Sequence, residues 1–160
     1  MLRFFQGFLE PRHAADDTGA RAERLAADWL RHRRGFTIVT RNWRNPRDHR
    51  EELDLVCRDG EVLVFVEVKA RSAGALVPGY FAVDRRKKRV LRRAAKAYLK
   101  RMPVLPRTFR LDVVEVTVPA HLSGGRLPDS LAEWQRIPAG AAPAVRHFEN
   151  IPLFSKHFRG

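Results

Sequence analysis

Apolar residues recur along this chain with two different periods. Ala22, Leu25, Ala26, Trp29 and Leu30 form one helical stripe. Asp17 or Thr18 can cap that helix, and Gly35 can end it just after Arg34. The period then drops to two. Phe36 to Asn42 is rich in Ile, Val and Thr and predicts a strand. Asn45 to Arg50 is polar, contains Pro46, and predicts a loop. Glu52 to Arg58 and Glu61 to Ala70 predict two further strands, with Asp59 and Gly60 as a hairpin turn between them. Ser72 to Tyr80 holds Gly74, Pro78 and Gly79 and predicts a loop. Asp84 can cap a second helix that runs to about Arg101 and stops before Pro103. Thr108 to Val118 predicts a fourth strand. The order is helix, three strands, helix, strand: an α/β sandwich with helices on both faces of a mixed sheet.

The hairpin places the chemistry. With Asp59 and Gly60 in the turn, Arg58 faces Glu61, Val56 faces Leu63, Asp54 faces Phe65 and Glu52 faces Glu67. Leu53, Leu55, Cys57, Val62, Val64, Val66 and Val68 then share one wholly apolar face, which must be core. The opposite face begins with Val56, Leu63 and Phe65 and ends with Glu52, Asp54, Glu67 and Lys69. Asp54 and Glu67 become diagonal neighbours, roughly 7–8 Å apart. Their oxygens can converge on a hard divalent ion, Mg²⁺ or Mn²⁺, that keeps several waters. Such an ion activates water and stabilises charge on a phosphodiester, and Lys69 adds positive charge on the same face. An ordinary solvated salt-bridge cluster would use the same residues.

Charge changes the picture. Among 160 residues, 31 Lys and Arg stand against 18 Asp and Glu, a net charge of +13 that points to a polyanionic partner. Much of it lies between Asp84 and Arg101, where ten basic residues accompany a single acid. Arg86, Lys87, Lys88, Arg89 and Arg93 on this helix are the candidate contacts to a nucleic-acid backbone. No apolar run is long enough to span a bilayer, so no membrane partner is expected. Cys57 is the single cysteine, which excludes an internal disulfide or a cysteine metal cluster. The first residues lack the pattern of a secretory signal, and a cytoplasmic location is expected. The six histidines show no ligand spacing and read as surface residues. No Walker motif, GxGxxG or GxSxG occurs, which leaves nucleotide hydrolysis, dinucleotide binding and α/β-hydrolase chemistry without support.

Glu52-Leu53-Asp54-Leu55, followed by Phe65-Val66-Glu67-Val68-Lys69, resembles the YraN-like family of uncharacterised bacterial proteins. That family belongs to the PD-(D/E)XK superfamily, whose fold is that of restriction endonucleases and is related to archaeal Holliday junction resolvases. The resemblance runs from about Gly19 to Val118 and includes Glu23, Asn42 and Arg110-Leu111-Asp112-Val113. Phe148-Glu149-Asn150 resembles the family's C-terminal end. It implies Asp54 and Glu67 as metal-binding carboxylates with Glu52 beside them, Lys69 as the catalytic lysine, and Glu23 as a helix-borne acid of the same site. Two departures stand out: Glu51 and Ala22 occupy positions where the family usually has Gly. The bulkier Glu51 is expected to crowd the site.

The expected organisation is a flexible segment over 1–17, a nuclease-like core over 18–118, and a Pro- and Gly-rich extension over 119–160. The extension is expected to pack on the core or to be partly disordered, with a short helix at Asp129 to Arg136 and a short strand near Val145 to Ile151. The leading functional expectation is a divalent-metal-dependent nuclease acting on DNA, branched or damaged DNA included. A non-catalytic nucleic-acid-binding module and an RNA- or ribosome-associated protein are the rivals. The residue pattern alone does not separate DNA from RNA, and it leaves the oligomeric state open, a homodimer included.

Overall fold

The computed structural model describes residues 13–72, 84–118, 128, 130–138 and 140–153, with side chains from Thr18 onward. Residues 1–12, nearly all of the loop expected at 72–80, most of the linker after Val118, and 154–160 lie outside the described residues, as do His121 and His157. Helix α1 spans His13–Arg34, so it begins several residues before the expected cap at Asp17 or Thr18. Gly35 takes φ +73 after it, and the Phe36 N–H turns back onto the Leu30 carbonyl. Ala22, Leu25, Ala26 and Leu30 are buried along the expected stripe, and Trp29 packs against them.

Strands β1 (Thr37–Asn45) and β2 (Asp48–Asp59) form a longer hairpin than the polar composition predicts. The loop expected at Asn45 to Arg50 shrinks to a turn at Pro46 and Arg47, with Asn45 Oδ1 accepting the Arg47 N–H at 3.1 Å. This end of the hairpin is largely solvent-exposed, so its strands carry no apolar alternation to announce them.

Strand β3 (Val62–Ser72) pairs antiparallel with β2, but the turn residues are Gly60 and Glu61. The register is Asp59 with Val62, Val56 with Phe65 and Leu55 with Val66. It differs by two residues from the expected one, so along the paired stretch from Leu55 to Asp59 each apolar side chain keeps its face while its partner changes. Gly60 takes φ +56 and Glu61 does not, the pattern of a Gly-X hairpin turn. Asp59 stays in the strand, where its side chain pairs with Arg110 at 2.9 Å.

One expected core assignment fails. Leu53 does not join Leu55 and Cys57; it packs with Val56, Leu63 and Phe65 on the other face. The β2–β3 ladder runs only as far as Leu55 and Val66. Beyond it, the Val68 N–H donates to Asp54 Oδ2 at 2.8 Å. A carboxylate thus stands where a backbone acceptor would continue the ladder, and the alternation slips at that point.

Helix α2 (Arg85–Leu99) follows, with Asp84 as N-cap accepting the Lys87 N–H at 2.7 Å. It ends two residues short of the expected Arg101. Strand β4 (Thr108–Val118) lies parallel to β3, as a crossover through a helix requires. The extension then returns to the sheet. Helix α3 (Leu131–Gln135) is a single short turn capped by Ser130, and β5 (Ala144–Phe148) pairs antiparallel with β4. Strand order is β1-β2-β3-β4-β5, a mixed five-stranded sheet with helices on both faces, consistent with a restriction-endonuclease-like fold. Helix α1 covers Leu55, Cys57, Val64, Val66, Val114 and Val116, while α2 covers Leu53, Val56, Leu63, Phe65, Leu111 and Val113. Ile151 and Leu153 complete the α2 side, so these residues of the extension belong to the core. Among the described residues, no helix is long and apolar enough to cross a membrane.

Candidate active site

The slip at Asp54 brings acids of β2 and β3 together where the two strands part. Asp54 is 8% exposed and Glu67 1%. Glu67 lies on the α2 face of β3 in line with Phe65, and its Oε1 accepts two ammonium groups, Lys69 Nζ at 2.6 Å and Lys87 Nζ at 2.9 Å. Its Oε2 is buried and, among the described residues, has no hydrogen-bond partner. A buried carboxylate oxygen left bare is rare and costly. Burial, and then the charge of Glu67, push the Asp54 carboxyl up to about 7, against the opposing pull of the Val68 N–H and Lys87.

Two more acids border this pair. Glu23 projects from α1 and is half-buried. Burial and the charge of Glu52 raise its carboxyl above the ordinary value, while a hydrogen bond from Asn42 pulls the other way. Asn42 holds that bond from a left-handed backbone, φ 50, inside β1, a conformation Asn tolerates better than most residues. Glu52 accepts Arg44 Nε at 3.0 Å at the solvent edge. Glu51 is turned to other work: it accepts Asn45 Nδ2 at 2.7 Å and pairs with Arg93 at 2.8 Å, joining the β1–β2 hairpin to α2. Its carboxylate is thereby held by partners of its own.

The basic helix divides by position. Arg86 and Arg89 are exposed and Lys88 is partly so. Arg93 is engaged by Glu51, and Arg92 donates to the Leu153 carbonyl at 2.8 Å. Lys87, expected only as a backbone contact, reaches into the acidic site. Burial alone would lower its ammonium, but the charge and hydrogen bond of Glu67, with Asp54 and Glu52, hold it above the ordinary lysine value. Its sequence signal was its place in the first turn after the Asp84 cap, from which its long side chain reaches Glu67 on β3.

Among the described residues, no three His, Cys, Asp or Glu side chains form a ready-made cation cage. The donors present are the Glu67 and Asp54 carboxylates, the first with a bare buried oxygen and the second raised by burial and then by like charge. Two carboxylates suit a hard cation that keeps several waters, and suit a soft metal poorly.

The expectation that all histidines lie at the surface fails for His147. Its side chain is 2% exposed and its Nε2 lies 2.9 Å from Asp112 Oδ2. The ring meets Trp29 and Phe36 edge-on. Aromatic neighbours and a buried acid, both brought together by β5, leave no mark in local sequence. Trp43 packs edge-on against Tyr98 at 5.3 Å.

The sequence profile of the uncharacterised protein family UPF0102 matches residues 22–116, which include all these acids and both lysines. The chain is 48% identical over 103 residues to a UPF0102 protein of Beutenbergia cavernae, covering 64% of this chain and 84% of the relative. It is 42% identical over 107 residues to one of Koribacter versatilis, covering 67% and 71%. A relative from Anaeromyxobacter dehalogenans is 46% identical over 99 residues, covering 62% and 71%.

Proposed function

The chain belongs to the uncharacterised protein family UPF0102, the YraN-like family, and for this member we propose a divalent-metal-dependent nuclease that hydrolyses phosphodiester bonds, with DNA the favoured substrate. The observation that carries the reading is Glu67. It is buried, bears a bare oxygen, and adjoins an Asp54 whose carboxyl is raised by burial and by Glu67 itself. A fold does not spend stability on such a pair without return, and unsatisfied buried acids beside surplus positive charge mark functional sites. Asp54 and Glu67 would hold Mg²⁺ or Mn²⁺, with Glu52 at the solvent edge. When bound, the ion supplies an activated water and charge stabilisation at the phosphate. Lys69 offsets charge on the scissile phosphate, and Glu23, held by Asn42, orders water at the α1 side. Arg86, Lys88 and Arg89 face solvent on the same helix that delivers Lys87, a surface suited to the phosphate backbone. A cytoplasmic setting fits this reading.

The test is purified protein with Mg²⁺ or Mn²⁺ against duplex, single-stranded, flap, four-way-junction and RNA substrates. Asp54→Ala, Glu67→Ala and Lys69→Ala are each expected to lower divalent-dependent cleavage by about a hundredfold or more, with binding largely kept. A wild type that binds but cuts none of the panel would establish the non-catalytic module instead. Cleavage confined to RNA would move the substrate class.

A further inference from the structure

Glu67 Oε1 holds two ammonium groups while Oε2 holds none. The two lysines are not equivalent. Lys69 is two residues along the same strand, so the pleat fixes it beside Glu67. Lys87 arrives from another element, the first turn of α2, through a long side chain that is about a third exposed. One carboxylate oxygen does not need two ammonium partners. Lys87 also stands in the field of Asp54 and Glu52, so it is the positive charge that α2 adds to the acids.

We propose that Lys87 is a built-in counter-ion that keeps the place of the divalent cation in the resting protein and is displaced from Glu67 when the cation binds. The inference rests on the nuclease reading above and adds to it a step of activation. An ammonium on Glu67 Oε1 and a divalent ion taken up at the bare Oε2 would stand close together and repel strongly, and of the two lysines it is Lys87, reaching in from α2, that can withdraw. Displacement costs one ion pair and leaves the Lys87 side chain, still anchored on α2, free to meet a substrate phosphate. The site is thus neutralised when empty, and its second lysine becomes available only when it is loaded.

Mn²⁺ binding in the absence of nucleic acid tests this, measured by calorimetry or by the loss of the free-ion magnetic resonance signal. The proteins are the wild type, Lys87→Met, Lys87→Gln, Glu67→Gln and, as a charge control at the C-cap of α2, Lys100→Met. Both Lys87 variants are expected to bind Mn²⁺ roughly tenfold more tightly than the wild type, since no ammonium competes. Lys100→Met is expected to leave affinity unchanged and Glu67→Gln to abolish binding. Thermal melts add a readout that a packing role would not produce: Lys87→Met melts below the wild type in EDTA, and the gap closes at saturating Mn²⁺. Equal or weaker Mn²⁺ affinity in both Lys87 variants, with Glu67→Gln still inactive in binding, overturns the counter-ion role and leaves the nuclease reading standing. Absence of Mn²⁺ binding by every protein overturns the counter-ion role, and the cleavage panel then decides the nuclease reading.

Discussion

Asp112 and Glu67 occupy neighbouring strands of one sheet, both essentially out of solvent, and their surroundings are opposite. Asp112 faces α1 and is fully provided for. Arg110 grips it through Nε and Nη2, His147 Nε2 approaches at 2.9 Å, and the Asn150 N–H donates at 2.9 Å. Burial would raise its carboxyl, but these hydrogen bonds, His147 foremost, hold it below the ordinary value. Arg110 extends the network to Asp59 at the hairpin tip, and Glu149 ties it to Arg34 at the end of α1. Glu67 faces α2 with one oxygen crowded and the other bare, and Asp54 beside it accepts a single backbone N–H. Burial is common to both clusters and so identifies neither as a site. What distinguishes them is the count of donors: the first is a clasp between β4, β5 and α1, and the second has coordination left to offer.

The largest expected effect is on the clasp. Asp112→Ala leaves Arg110 and His147 without their shared partner in a buried setting, and is expected to cost about 3–5 kcal/mol of unfolding free energy in a urea titration. Asp54→Ala in the metal-free protein is expected to cost far less. Equal costs would erase the distinction between the clusters.

The next effect is a difference of sign with pH. The folded state raises Asp54 from 3.8 to about 7, so the folded protein binds the extra proton between those values. Stability from this group is present at acid pH and is lost as pH rises through about 7. Asp54→Asn removes that loss. Its stability relative to wild type in EDTA is expected to grow from pH 4.5 to pH 7.5 by on the order of 2 kcal/mol. Asp112 is held low instead, so its contribution is present above the ordinary carboxylate range and is lost as pH falls through the folded value. The advantage of wild type over Asp112→Asn is expected to shrink toward acid pH. Parallel pH profiles for the two variants would break the comparison. Glu67→Gln is a different case from Asp54→Asn, because it strips Lys69 and Lys87 of their counter-charge and is expected to lower metal-free stability.

The smallest effect is an absence of reaction. Cys57 is fully buried, and burial first, then the charge of Asp112, push its thiol up to about 12. A thiol reagent at pH 8 is expected to leave it unmodified in the native protein and to label it once urea unfolds the chain. Rapid native labelling would show the clasp opening far more often than its hydrogen bonds allow.

Much of this architecture was legible along the chain. The stripe from Ala22 to Leu30, the Asp84 cap, the apolar β2 and β3 segments and the place of Asp54, Glu67 and Lys69 near one another all follow from periods of 3.6 and 2. The β1–β2 hairpin did not announce itself at its outer end, because strands in water need no apolar alternation. The turn at Gly60 and Glu61 was misplaced by one residue, since Asp-Gly and Gly-Glu are both good turns. The choice between them came from Asp59 finding Arg110 across the sheet. Leu53 changed faces because Asp54 broke the ladder beside it.

Local pattern therefore determined most of the helices and strands, most of the apolar faces, and which acids lie close in the chain's own hairpin. These depend on interactions a few residues long, or on a period that burial imposes directly. The tertiary structure alone decided that Lys87 meets Glu67, that Asn42 meets Glu23 and that His147 closes on Asp112. Each of these joins elements at least about twenty residues apart, and the last needs β5 to be threaded onto the sheet edge. Charge and hydrogen bonding at such meetings carry no period, so a linear sequence holds the partners without showing the pairing.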